Sequence, residues 1–183
     1  AVGSKRILMV DGTPEQMGAA HGRLLADQIP HVMPRTMALV GAGLAIQKGV
    51  WFYDRIDEIH RRTAPHTPPR FLREIEAMAA AAGIAHRDAI CGNFFPEQFH
   101  CSGVAVRNTA TADGRVIHAR VLDYMRDLHL QKYAVLQVFI PDGGIPWLSL
   151  GCAGFLGTVT AMNEKGLAIG EMGGGGEGAW DGM

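Results

Sequence analysis

Cysteine is scarce in this sequence and widely scattered: Cys91, Cys101 and Cys152 are the three among 183 residues. Their spacing matches no Cys-x-x-Cys metal or redox pattern. An odd count argues against a complete disulfide framework, and a Cys91–Cys152 bridge stays open. An excess of one charge is missing too. The 17 basic and 18 acidic residues leave a net charge of −1, so neither nucleic acid nor an anionic membrane surface is expected as a partner. No apolar run reaches the length needed to span a bilayer. The histidines form no His-Glu-x-x-His and no ligand spacing on one helix face, so no metal is expected; no other cofactor is expected either. The glycine run 173–176 has no Gly-Lys-Ser/Thr behind it and is not a phosphate loop. The opening Ala1-Val2-Gly3-Ser4-Lys5-Arg6 has no signal-peptide pattern and leaves the compartment open.

What is present is an ordinary globular composition, 48% apolar and 19% charged, long enough for one domain with a real core. The expected organisation over 1–183 is a single α+β domain, helical over 1–100 and strand-rich over 101–183. Arg6–Val10 reads as a first strand. Thr13 and Pro14 then read as the cap and first position of a helix that Pro30 limits. Further helices are expected over Met33–Gln47, Trp51–Arg62, Arg70–Ala82 with Gly83 as stop, and Ala85–Cys91. The second half reads as an antiparallel meander of about six strands. It includes a Cys101 hairpin, Tyr133–Ile140, Trp147–Cys152, Phe155–Met162 and Leu167–Met172, with Asn163-Glu164-Lys165-Gly166 as a turn.

Chemistry concentrates at Cys101. It opens a strand-like run, Cys101-Ser102-Gly103-Val104-Ala105-Val106, and Asp113-Gly114 signals a primed hairpin turn. The returning limb, Val116-Ile117-His118-Ala119-Arg120-Val121-Leu122-Asp123, brings Arg120 and Asp123 back toward the thiol. A thiolate is a good nucleophile but little populated near neutral pH. A free α-amine, with a pKa of about 8, takes a proton readily. Cutting the bond before Cys101 would therefore put nucleophile and base on one residue, with Arg120 to hold the thiolate or a substrate oxygen and Asp123 to orient the amine. Residues three apart on a strand point to opposite faces unless the strand ends or bulges between them. Geometry alone therefore does not place both at the sulfur, and an exposed Arg–Asp pair is the plainer alternative. A buried strand cysteine is likewise the plainer reading of Cys101; Cys91 and Cys152 are read as core residues.

The ordered set resembles a known family. Cys101-Ser102-Gly103-Val104-Ala105 followed by Ala112-Asp113-Gly114-Arg115-Val116-Ile117-His118-Ala119-Arg120-Val121-Leu122-Asp123-Tyr124 is similar to the penicillin (isopenicillin N) acyltransferase family of self-processing N-terminal-nucleophile (Ntn) hydrolases. Bile-salt hydrolases and acid ceramidase are its more distant relatives. His21-Gly22-Arg23-Leu24-Leu25 and Met162-Asn163-Glu164-Lys165-Gly166-Leu167 fit in order. The resemblance implies a four-layer αββα sandwich of which this chain is the N-terminal portion. It implies self-cleavage between His100 and Cys101, with Cys101, Arg120 and Asp123 as catalytic residues. It also implies an acyl amide substrate, a thioester acyl-enzyme, and an oxyanion-hole asparagine beyond Met183. His100 or Glu97 could assist the cut. Besides the small-molecule substrate, the expected partner is the remaining part of the same precursor or a second copy of the chain. Two rival readings stand beside this one. In the first, Cys101 stays internal and a histidine such as His118 is the base. In the second, the domain binds without catalysis.

Overall fold

A computed structural model describes residues 6–94, 101–123 and 128–172. It begins with strand β1 (Arg6–Gly12). Thr13 caps helix α1 (Pro14–Leu24): its Oγ1 accepts the Gln16 N–H at 3.3 Å, and Gln16 Oε1 accepts the Thr13 N–H at 2.8 Å. This reciprocal pair satisfies donors that a helix start leaves free. α1 stops at Leu24, short of Pro30, which instead opens helix α2 (Ile29–Lys48). In a first turn the missing proline N–H has no partner to lose. α2 is long and apolar enough to cross a membrane by length and composition alone. In the sequence that feature was hidden by His31, Arg35 and Gln47, which break the run. Its stripe of Ile29, Val32, Met33, Met37 and Val40 is buried in the core.

Helices α3 (Phe52–Thr63), α4 (Pro69–Ala82) and α5 (His86–Phe94) complete the helical part. Gly83 ends α4 in the left-handed region at φ 70°, where a side chain would be strained. α1 and α4 pack at close range because α1 carries glycine one turn apart. A Cβ at Gly18 would meet the Glu74 carbonyl oxygen, and one at Gly22 the Met78 carbonyl oxygen. Backbone cannot swing aside as a long side chain can. Gly18→Ala and Gly22→Ala are each expected to cost about 1–3 kcal/mol of stability in urea titrations, more than alanine's helix propensity returns.

The strands form two sheets. β4 (Ala134–Pro141), β5 (Trp147–Cys152), β6 (Thr160–Asn163) and β7 (Ala168–Gly170) are antiparallel neighbours. β1 joins the free edge of β4 in parallel, with Leu8 opposite Gln137 and Val10 opposite Phe139. The expected antiparallel meander is corrected here: the five-stranded sheet is mixed, in the order β1-β4-β5-β6-β7. The Cys101 hairpin, β2 (Cys101–Asn108) and β3 (Gly114–Leu122), stands apart as its own two-stranded sheet. Its connection is not the expected two-residue primed turn. Asn108 is left-handed at φ 55°, the register shifts between Val106 and Asn108, and Asp113-Gly114 closes a longer loop. Phe155–Val159 is loop rather than strand, since its backbone is held by side chains described below. The Asn163–Gly166 turn is as expected: Asn163 Oδ1 accepts both the Lys165 and the Leu167 N–H at 3.0 Å.

One face of the large sheet is buried under the helices through Leu8, Val10, Val135, Gln137, Phe139 and Ser149. The other face carries the exposed Ile7, Met9, Ile140, Leu148 and Leu150. The hairpin lies across β7 on that second face, where Gly170 leaves room for the His118 ring and the Arg120 stem. The fold is thus α+β, with helices on one side of a mixed sheet and a small second sheet against its far edge.

Candidate active site

Strand alternation decides which side chains meet. Cys101 pairs with Leu122 and Gly103 with Arg120, so Cys101 and Arg120 share one face of the hairpin. A Cβ at Gly103 would meet the Met172 side chain, so glycine here lets the segment after β7 pack onto the hairpin. Arg120 Nη2 donates to Cys101 Sγ at 2.6 Å. The same side chain donates to Thr160 Oγ1 at 3.3 Å, to the Glu171 carbonyl oxygen at 3.1 Å and to Glu171 Oε2 at 3.0 Å. It is 3% exposed, so these contacts are held away from water.

Asp123 falls on the opposite face, as its spacing from Arg120 requires. Its carboxylate does not reach the sulfur; Oδ2 accepts the Ser102 hydroxyl at 2.7 Å. Asp123 touches Cys101 through its backbone instead, by a hydrogen bond that favours the thiolate. The carboxylate at the thiol is Glu171, just beyond β7, with Oε2 at 3.5 Å from Sγ. Sequence reasoning missed Glu171. A lone acidic residue ahead of a glycine run carries no signal, and it reaches the hairpin only because β7 packs on β3.

Cys101 is half-buried, and burial raises its thiol pKa. Arg120 opposes that shift by its charge, while Glu171 adds to it by charge and by accepting the S–H. The thiol is therefore held in its protonated form at neutral pH. A base is needed to activate it. His118 is poorly placed for that task. It pairs with Ala105, four residues along the strand from Cys101, roughly 13 Å at the usual rise per residue. His100 and Glu97, and with them the expected scissile bond, lie outside the described residues. Cys91 is fully buried, and Cys152 sits half-buried with Sγ 3.7 Å from the Leu130 carbonyl; both are free thiols, without the bridge left open above.

The Phe155–Val159 loop is fixed by two polar side chains from the helices. Buried His21 accepts the Gly154 N–H through Nε2 at 3.0 Å. Asn93 Oδ1 accepts the Leu156 N–H at 2.8 Å and the Gly157 N–H at 3.3 Å, and its Nδ2 donates to the Gly154 carbonyl at 3.1 Å. Val159 then accepts the Glu171 N–H, which ties the loop to the carboxylate at the thiol. Between this loop, β6–β7 and the starts of α1 and α4 lies a mostly apolar cavity of about 630 Å³, and Glu171 is one of its walls.

No protein-family model matches the chain. Similar curated proteins are Protein dcd1B of Dictyostelium discoideum, 26% identical over 87% of this chain and 36% of its own length, and Protein dcd1A of the same organism, 27% identical over 86% and 42%. An uncharacterised protein of Archaeoglobus fulgidus is 24% identical over 91% of this chain and 32% of its own. The chain thus spans about a third to two-fifths of the length of these relatives.

Two buried groups, His21 under the 154–157 loop and Glu74 on the cavity wall, give the protein an acid–base signature. Burial pushes the His21 imidazole down from 6.5 to about 4 and the Glu74 carboxyl up from 4.5 to about 7. The His21 contribution to stability is intact above pH 6.5 and lost as pH falls toward 4. The Glu74 contribution is intact below pH 4.5 and lost as pH rises toward 7. The two slopes oppose each other in between. Glu74→Gln removes one of them. Relative to the parent, it is expected to gain about 2 kcal/mol on going from acid to neutral pH, read from urea titrations at the two ends.

Proposed function

We propose that the protein is an Ntn-type cysteine amidohydrolase or acyltransferase that cuts itself before Cys101. The observation that carries the reading is the Arg120 guanidinium, buried and seated on Cys101 Sγ at the first residue of β2. The order of the motifs supports it, as does a helical layer with a second sheet on the sheet's opposite face, a part of the αββα arrangement.

In the first step the Cys101 thiol attacks the His100 carbonyl carbon. The peptide C–N bond breaks, a thioester forms, and the nitrogen takes up a proton to become the Cys101 α-amine. Glu171 Oε2, already accepting the S–H, receives the thiol proton. Water then hydrolyses the thioester to a carboxylate. In turnover the α-amine takes the thiol proton while sulfur attacks the acyl amide carbon. The amine product leaves with that proton, and water or an acceptor amine resolves the acyl thioester. Arg120 stabilises the thiolate by a charge-assisted hydrogen bond. Asp123, which accepts the hydroxyl of the residue next to Cys101, would orient the freed amine rather than the sulfur.

Intact mass spectrometry of the protein tests the first step. A fragment whose first residue is Cys101 is expected. A chain that stays whole and still turns over substrate would sink the self-cleaving reading and restore an internal cysteine nucleophile.

A further inference from the structure

The cavity beside Glu171 has one feature that the chemistry above leaves unused. Glu74, on α4, is 8% exposed, lines the cavity and has no hydrogen-bond partner among the described residues. The charges that act on it are Arg70 and Glu15, which pull in opposite directions. Arg70 is exposed at the rim, with its guanidinium 4.8 Å over the Phe71 ring. The lining of the cavity is mostly apolar, with Ile75, Trp147, Phe155, Leu167 and Ile169 among the walls. A carboxyl left unpaired in such a place is costly, and a ligand that donates to it removes the cost. The volume, about 630 Å³, lies within the usual range for small-molecule sites.

We propose that this cavity binds the apolar group of the substrate and that Glu74 selects a group bearing an amine or other hydrogen-bond donor over one bearing a carboxylate. This rests on the proposed acyl amide chemistry, because Glu171 is shared between the cavity wall and the Cys101 thiol. The apolar group enters past Glu171, so the amide carbonyl stays at the sulfur while the donor lies toward α4. Glu74 is a specificity residue here and takes no part in bond breaking.

The test is calorimetric binding of three probes of one shape, 4-phenylbutylamine, 4-phenylbutanol and 4-phenylbutyrate, to Cys101→Ala protein, which removes turnover from the measurement. The amine is expected to bind at least tenfold tighter than the carboxylate, with the alcohol between them. Glu74→Gln is expected to erase the preference for the amine while leaving the alcohol within about twofold. Ala161→Leu, which narrows the cavity, is expected to weaken all three. Equal affinities for amine and carboxylate, a preference that survives Glu74→Gln, or no binding at all would each overturn the proposal. Binding as expected in a protein that never cleaves or turns over would leave this site standing and remove the enzyme reading instead.

Discussion

Cys101→Ala is expected to leave the chain in one piece and to lower turnover of acyl amides by roughly a thousandfold or more, the scale seen when a nucleophile is removed from a working site. The side chain is half-buried and supports no part of the hydrophobic core. Its removal should therefore cost little stability, and an unchanged melting temperature separates lost chemistry from lost fold. Cys101→Ser sharpens the test. The hydroxyl keeps the contact with Arg120 but ionises far less readily than a thiol, so cleavage should slow strongly without the fold changing. The readouts are intact mass with time after purification and the rate of amine release. A Cys101→Ala chain that still divides at the same bond would mean that another group attacks it.

Arg120→Ala is expected to be nearly as damaging, for a different reason. Four acceptors surround that guanidinium: Cys101 Sγ, Thr160 Oγ1, the Glu171 carbonyl and Glu171 Oε2. Taking one partner from a buried pair costs about 3–5 kcal/mol; Glu171, 34% exposed, recovers some water, which places the loss near the lower end. The thiol reports the electrostatics separately. Burial already holds the Cys101 pKa up, Arg120 lowers it and Glu171 raises it. Arg120→Ala should therefore shift the pH profile of alkylation by iodoacetamide upward, and Glu171→Gln should shift it downward. Shifts of the same sign in the two variants would refute the charge account of the site. Turnover should fall with Arg120→Ala and be partly restored by Arg120→Lys, whose charge remains but whose forked geometry does not.

The parts of this molecule that are written locally could be read before the fold was known. Thr13-Pro14 marks a helix start and Gly83 a helix stop because each satisfies backbone needs within its own few residues. Cys101 and Arg120 were legible as a pair because a hairpin links them over a short distance in the chain. What escaped depends on long-range meetings. The parallel ladder of β1 on β4 joins Arg6 to Val135, and no short-range pattern announces a partner that distant. Glu171 reaches Cys101 across 70 positions by the packing of one sheet on another. Pro30 was read as a stop, although the residue type suits a helix start equally well and only the chain direction after Leu24 decides between them. The two-residue period of a strand did predict that Arg120 and Asp123 would part, and they do.

The ladder between β1 and β4 bears on what a cut before Cys101 would leave behind. One strand of it lies upstream of the cut and its neighbour downstream, and the bonds from His21 and Asn93 to the 154–157 loop cross the same divide. The two products would be knitted into a common core and would migrate together on a sizing column, parting only when denatured. Maturation of this protein would then be a nick within a lasting assembly, with the new amine exposed in a framework already built around it.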